Sequence, residues 1–218
     1  DGPVAIGGAY LARMHAGKRV AILHDRTLAS HQLAVSTKRA MNSGGLQETL
    51  FIAFPAGERD YAPLARTLKS QAIATIYIGG YPIEAAAIIR DLAAADARIE
   101  VVGGDLLAGE DFLTAAGAWA EGVIVVAPVD PNSWPGASRL RRQAGTNRSE
   151  LIVQAVAYAA IEIGVQLLQT ADGNHDAFGH GRRFATILGE VAFDSKGDAI
   201  LPFHAVHRWS NGQLVPIP

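Results

Sequence analysis

The sequence predicts an α/β fold with a doubly wound parallel sheet. Short apolar, β-branched runs recur along the chain, and stretches with the apolar spacing of a helix separate them. Several of the runs end in glycine pairs or polar turn residues, as a parallel sheet does where it hands over to a helix.

The elements follow in order. Pro3 to His15 reads as a leading helix, and Lys18 to Leu23 as the first strand. Leu50 to Phe54, Ala74 to Ile78, Ile99 to Val102 and Gly122 to Ala127 are the next strands. Helical spacing covers His31 to Met41, Tyr61 to Gln71, Ile83 to Ala94 and Asp111 to Trp119. Residues 1–127 thus form one α/β lobe. Residues 128–186 read as a crossing segment with helices, and 187–218 as closing strands and a final crossing. Strand candidates in that last part are Ala192-Phe193 and Ala205 to Trp209.

Composition limits the function classes. The chain has 218 residues, 49% hydrophobic and 18% charged, so it can bury a substantial core. A net charge of -2 argues against a nucleic-acid partner held through phosphates. Cysteine is absent, which removes disulfides, a thiol nucleophile and cysteine-ligated metal. No run of 18 or more apolar residues reads as a membrane span. Asp1-Gly2-Pro3 does not read as a leader, so the expectation is a cytosolic protein or an exported one whose leader has been removed.

In a doubly wound sheet a ligand sits beyond the carboxyl ends of the strands. There the sequence places His24-Asp25-Arg26-Thr27, then Gly79-Gly80-Tyr81-Pro82, then Gly103-Gly104-Asp105. A phenol and a carboxylate, each after a glycine pair, therefore stand on one rim. The competing reading is a plain turn in which each residue caps the next helix. Neither G-x-G-x-x-G after the first strand nor a Walker-type loop is present, so nucleotide binding loses its main support.

Several segments carry a resemblance. Lys18 to Asp25 (KRVAILHD), Phe54 to Tyr61 (FPAGERDY), Ile76 to Tyr81 (IYIGGY) and Val102 to Asp105 (VGGD) resemble the second lobe of leucine/isoleucine/valine-binding proteins. Phe193 to Asp198 (FDSKGD) and Val206 to Gly212 (VHRWSNG) resemble that family's closing strands. The resemblance implies a type I periplasmic-binding-protein fold of two lobes, with the second complete and most of the N-terminal lobe lacking. It implies a substrate-binding protein of an ABC importer for a branched-chain or other hydrophobic amino acid, acting in the periplasm with a membrane permease. The alternative is a sensor or receptor domain of the same fold. By the resemblance Asp105 grips the ligand's ammonium group and Tyr81 covers the ligand. Gly80, Gly104, Ala29 and Ser30 complete the ligand-binding set. In the loop after the first strand, where the family often has a tyrosine, Leu28 to Ser30 and His31 carry no such residue.

Ser149 to Thr170 reads as a long helix with one polar row, Gln154, Tyr158, Glu162 and Gln166. Every other position from Leu151 to Leu168 is apolar or glycine, so the helix requires cover on most sides. The polar row makes it too mixed for a membrane span. The candidate covers are the absent first-lobe sheet, a second polypeptide, or another copy, the last giving a homodimer through residues 149–170.

Other constellations point away from chemistry. His204 and His207, three apart on a strand, face opposite ways and make a poor metal pair. His175 and His180, with Asp172 and Asp176, read as a solvated loop. No G-x-S-x-G elbow supplies a nucleophile. The expectation is a binder with no catalytic residues, no metal and no cofactor. Arg139 to Arg142 (RLRR) reads as a solvated face, and Trp134 as a packing residue in the crossing.

Overall fold

The computed structural model describes residues 2–141, 148–169 and 182–218. Helix α1 (Pro3–Met14) leads into β1 (Val20–His24), α2 (Leu28–Ser43), β2 (Leu50–Ala53), α3 (Ala62–Ser70), β3 (Thr75–Gly79) and α4 (Pro82–Ala94). Then come β4 (Glu100–Gly103), α5 (Glu110–Ala116), β5 (Ile124–Pro128), α6 (Ala137–Arg141) and α7 (Arg148–Gln169). The chain closes with β6 (Arg183–Thr186), β7 (Gly189–Phe193), β8 (Ala199–Ile200), β9 (His204–Ser210) and β10 (Gln213–Pro216).

Contacts divide the chain into two compact units. One holds residues 1–127 and 204–218, the other residues 128–203. The segment 187–218, read from sequence as one closing piece, is shared between them. β7 and β8 lie in the second unit, and β9 and β10 join the sheet of the first.

The first unit carries a seven-stranded sheet in the order β10-β9-β5-β4-β3-β1-β2. The pairs β1–β2, β1–β3, β3–β4 and β4–β5 are parallel, and β9–β10 is antiparallel. β1 and β3 are buried at all five of their positions, which explains their unbroken apolar runs. Side chains alternate between faces. Ala21, Leu23, Ile76 and Ile78 pack with α3, α4, α5 and Trp209. Val20, Ile22, Tyr77 and Val102 pack with α1 and α2. α1 and α2 pack closely because Gly8 has no side chain; a β-carbon there would stand 2.4 Å from that of Ala40.

Local chemistry explains the differences in element ends. α2 begins at Leu28, ahead of the expected His31, because the Thr27 side chain caps it by accepting from the Ser30 N–H. α5 stops at Ala116, short of Trp119, because Gly117 takes a φ of 54° and the chain continues as a 3-10 turn over Gly117–Ala120.

The second unit has an antiparallel sheet ordered β6-β7-β8, with α6 and α7. Trp134 is buried and stacks on Phe203 at 5.8 Å, a packing role. Helix α7 buries one row, Leu151, Ala155, Ala159 and Ile163. Its polar row does not face outward as a whole. Tyr158 Oη accepts a hydrogen bond from Arg139, Glu162 accepts from the Ile187 N–H, and Gln166 donates to the Ala185 carbonyl at 2.9 Å. Arg139 also pairs with Glu162 at 3.8 Å, so it is tied to α7 and is not merely solvated. Exposure falls instead on apolar residues, with Val153 at 69%, Ile161 at 66% and Leu168 at 80%. Length and composition alone would let α7 cross a membrane. Three side chains of its polar row are bonded within its own unit. Thr170 and the loop holding His175 and His180 lie outside the described residues, as does Arg142.

Candidate ligand-binding site

The carboxyl ends of β1, β3 and β4 meet on one edge of the parallel sheet, and turn chemistry fixes each of them. After β1, the Asp25 carboxylate accepts from the Thr27 N–H at 3.0 Å and the Thr27 hydroxyl at 2.7 Å. The Ser30 hydroxyl accepts from the Asp25 N–H at 3.0 Å and donates to the Gly79 carbonyl. Ser30 therefore pins the β1 loop and the start of α2 to the end of β3. It is buried, whereas its neighbour Ala29 is exposed.

After β3, close packing decides the residue type. A β-carbon on Gly79 would stand 3.2 Å from the Ser30 carbonyl oxygen, and one on Gly80 would stand 3.0 Å from the Phe54 ring. Neither glycine has a positive φ, so what they provide is room, not a left-handed turn. Tyr81 follows at the N-cap of α4, in extended geometry, 51% exposed. A tyrosine carried at a helix entry with half its surface free is presented outward from the rim.

After β4 the pattern repeats. A β-carbon on Gly103 would lie 2.3 Å from Leu107 Cδ1, because Leu107 folds back beneath the turn and is fully buried. Gly104 has more space, with Leu33 and the Tyr77 hydroxyl at 3.6 Å. Asp105 is exposed and opens the 3-10 turn Asp105–Ala108.

Three groups absent from the sequence-derived set stand near these. Burial pushes the Tyr77 phenol up to about 12; the Thr37 hydroxyl opposes that rise and the Asp105 charge adds to it. Burial pushes His204 down, against the pull of the Asp105 carboxylate. His204 starts β9, which the sheet order places beside β5. Asp25 is 2% exposed, and its Oδ2 has no hydrogen-bond partner among the described residues. Tyr77 could have been suspected from its place in the IYIGGY run; nothing in the sequence places His204 on this edge.

The opposite edge of the sheet carries a hydroxyl–imidazole–carboxylate series. His15 Nδ1 lies 2.9 Å from Thr75 Oγ1, and its Nε2 lies 3.5 Å from Glu100. Thr75 is 1% exposed and His15 2%, so no substrate reaches the hydroxyl. The series ties α1 to β3 and β4. Among the described residues no group of three or more metal-ligating side chains occurs.

A profile of the periplasmic binding protein family matches residues 3–212. Leu/Ile/Val-binding protein homolog 2 of Brucella abortus is 31% identical over 216 residues, which cover 95% of this chain and 58% of that protein. Leu/Ile/Val-binding protein homolog 1 of Brucella suis is 29% identical over 215 residues, 95% of this chain and 57% of the relative. This chain thus spans less than two thirds of the length of these relatives. Among solved structures, a leucine binding protein from Thermotoga maritima superposes with a TM-score of 0.76 at 22% identity, covering 99% of this chain and 65% of that one. A substrate-binding protein from Desulfitobacterium hafniense in complex with Leu superposes with a TM-score of 0.72 at 16% identity, covering 99% and 64%. At these identities the superpositions establish the fold, and the family profile over nearly the whole sequence establishes the kinship: the chain belongs to the periplasmic binding protein family.

Proposed function

We propose that this chain carries the ammonium-gripping side of an amino-acid site in a solute-binding protein of an ATP-driven importer. The observation that carries the reading is one rim holding an exposed carboxylate, Asp105, and a half-exposed phenol, Tyr81, each after a glycine pair at the carboxyl end of a parallel strand. Asp105 pairs with the ligand's ammonium through charge-assisted hydrogen bonds. Tyr81 lays its ring over the ligand, and Gly80 and Gly104 let the backbone approach. Ala29 and Ser30 border the site on the α2 side, with Ala29 leaving space for the ligand's side chain. The names of the matched relatives favour a branched-chain amino acid as the ligand. A binder of this kind works in the periplasm, delivers to a membrane permease and performs no catalysis.

Calorimetric titration with a panel of free amino acids tests the reading. Asp105→Asn is expected to weaken binding by about 1–3 kcal/mol while the unfolding transition stays in place. Equal affinity in the variant and the parent would refute the role of Asp105.

The exposed face of α7 extends the proposal to assembly. Val153, Ile161 and Leu168 form an apolar surface of the kind that marks an interface. In this chain on its own, a second copy covers that face and gives a homodimer through residues 149–170. Sedimentation at micromolar concentration should find the dimer. A monodisperse monomer would contradict it.

A further inference from the structure

His24 ends β1 and is 6% exposed, whereas His31 is exposed on the first turns of α2. Their ring centroids are 4.9 Å apart at 74°, and both rings touch Phe51 of β2. His24 Nδ1 accepts a hydrogen bond from the Arg26 N–H at 3.2 Å. That bond fixes the tautomer, because an accepting Nδ1 leaves the single proton of the neutral ring on Nε2. It also braces an unfavourable backbone, since Arg26 has a φ of 68° without being glycine.

Among the described residues, the charged groups that act on His24 come from α2 and from the loop after β1. From α2 come His31 and Lys38, the latter lying over the Phe51 ring at 5.3 Å and already paired with Glu48. The loop after β1 supplies Asp25 and Arg26. Neighbouring strands place Ala53 and Gly79 opposite His24, and neither carries charge. Asp25 is the anion that acts on the ring, and its pull on the His24 proton is smaller than the push of His31. Two imidazolium rings at this distance would repel with little compensation.

We propose that His24 and His31 form an acid-sensitive clasp on the loop between β1 and α2, closed while His24 is neutral and opened when both rings carry protons. The proton that converts His24 arrives at Nδ1. There it changes an acceptor into a donor facing the Arg26 N–H, and the hydrogen bond is lost. It also sets a second positive charge beside the first. The turn at Arg26 then loses its brace. Because Thr27 caps α2 and Ser30 ties the same loop to Gly79, the release reaches the rim at Ala29 and Ser30. Burial and the neighbouring His31 both hold His24 below the usual histidine range, so the clasp stays shut near neutral pH. This device goes beyond the amino-acid reading and does not depend on what the rim binds.

The test is an NMR pH titration of the histidine ring nitrogens and the backbone amides, in the parent chain and in His31→Gln. His31 is exposed, so the substitution leaves the core alone. With the His31 charge removed, His24 should titrate about half a pH unit higher or more, the size set by two charges roughly 5 Å apart in water. The Arg26 amide should move with the His24 midpoint in both proteins, and the Ala29 and Ser30 amides should follow. A His24 midpoint that is the same in both proteins would overturn the proposal. So would an Arg26 amide that does not follow His24.

Discussion

Helices α4 and α7 are both rich in aliphatic residues, and the protein treats them differently. α4 buries Ala85, Ala86, Ala87, Ile88, Ile89 and Leu92 within 13 residues, against the sheet and α3 and α5. α7 is 22 residues long and buries only Leu151, Ala155, Ala159 and Ile163. Three of its four polar-row residues, Tyr158, Glu162 and Gln166, bond the second unit, while Gln154 and a surplus of apolar side chains face out. Apolar composition therefore does not tell which face of a helix is covered. The partners of the polar groups do. Where hydrogen bonds claim one side of a helix, the opposite apolar side is left for another surface.

The largest expected contrast lies between single truncations on the two helices. Ile88→Ala removes a fully buried side chain of α4 and should cost about 2–5 kcal/mol. Leu168→Ala, at a site 80% exposed on α7, should change stability by less than about 0.5 kcal/mol in a dilute monomeric state. Urea denaturation of both variants checks the pair. Comparable losses would break the comparison.

Next come the glycines of the rim. Gly103→Ala forces a methyl group against Leu107 and should cost about 1–3 kcal/mol. Gly104→Ala meets only ordinary contacts at 3.6 Å, so thermal unfolding should stay close to that of the parent. Its effect should appear in ligand affinity instead. A stability loss at Gly104 matching that at Gly103 would show that the rim is tighter than described.

On α7 the inward polar row carries a smaller expectation. Glu162→Ala strips the acceptor from the Ile187 N–H and should destabilise the second unit by about 1–2 kcal/mol. Limited proteolysis within residues 128–203 should accelerate accordingly. Unchanged cleavage would mean that the row is solvated after all.

The smallest effect is one of pH. Burial pushes His15 below its ordinary 6.5, with Glu100 acting against the shift and Lys18 adding to it. An unfolded chain takes up the proton first as the pH falls, so stability present above about 6.5 is lost below it until His15 protonates in the fold. His15→Gln should flatten that slope in acid-range denaturation profiles. An identical slope would assign the loss to other groups.

The first unit was legible because its central strands are buried on both faces. β1 and β3 read as unbroken apolar runs, and the helices between them carry one clear period. The positions of Asp105 and Tyr81 just past strand ends were legible as well, since a glycine pair before each marks the end of β4 or β3. β6 and β8 were not. Arg183–Thr186 buries only Phe184, and Ala199–Ile200 buries neither residue, so no alternation develops. The inward turn of the α7 polar row was hidden too, because Ile187 and Ala185 are distant in sequence and offer backbone groups, which no residue type signals. His204 joins the rim only through the sheet order.

The pairing of Asp105 with a ligand ammonium is tested most directly by a two-by-two binding cycle. Leucine and its analogue with a hydroxyl in place of the amine are titrated into the parent protein and into Asp105→Asn. The parent should prefer the amine by about 1–3 kcal/mol, and the variant should lose most of that preference. A preference for the amine that survives intact in Asp105→Asn would contradict the account.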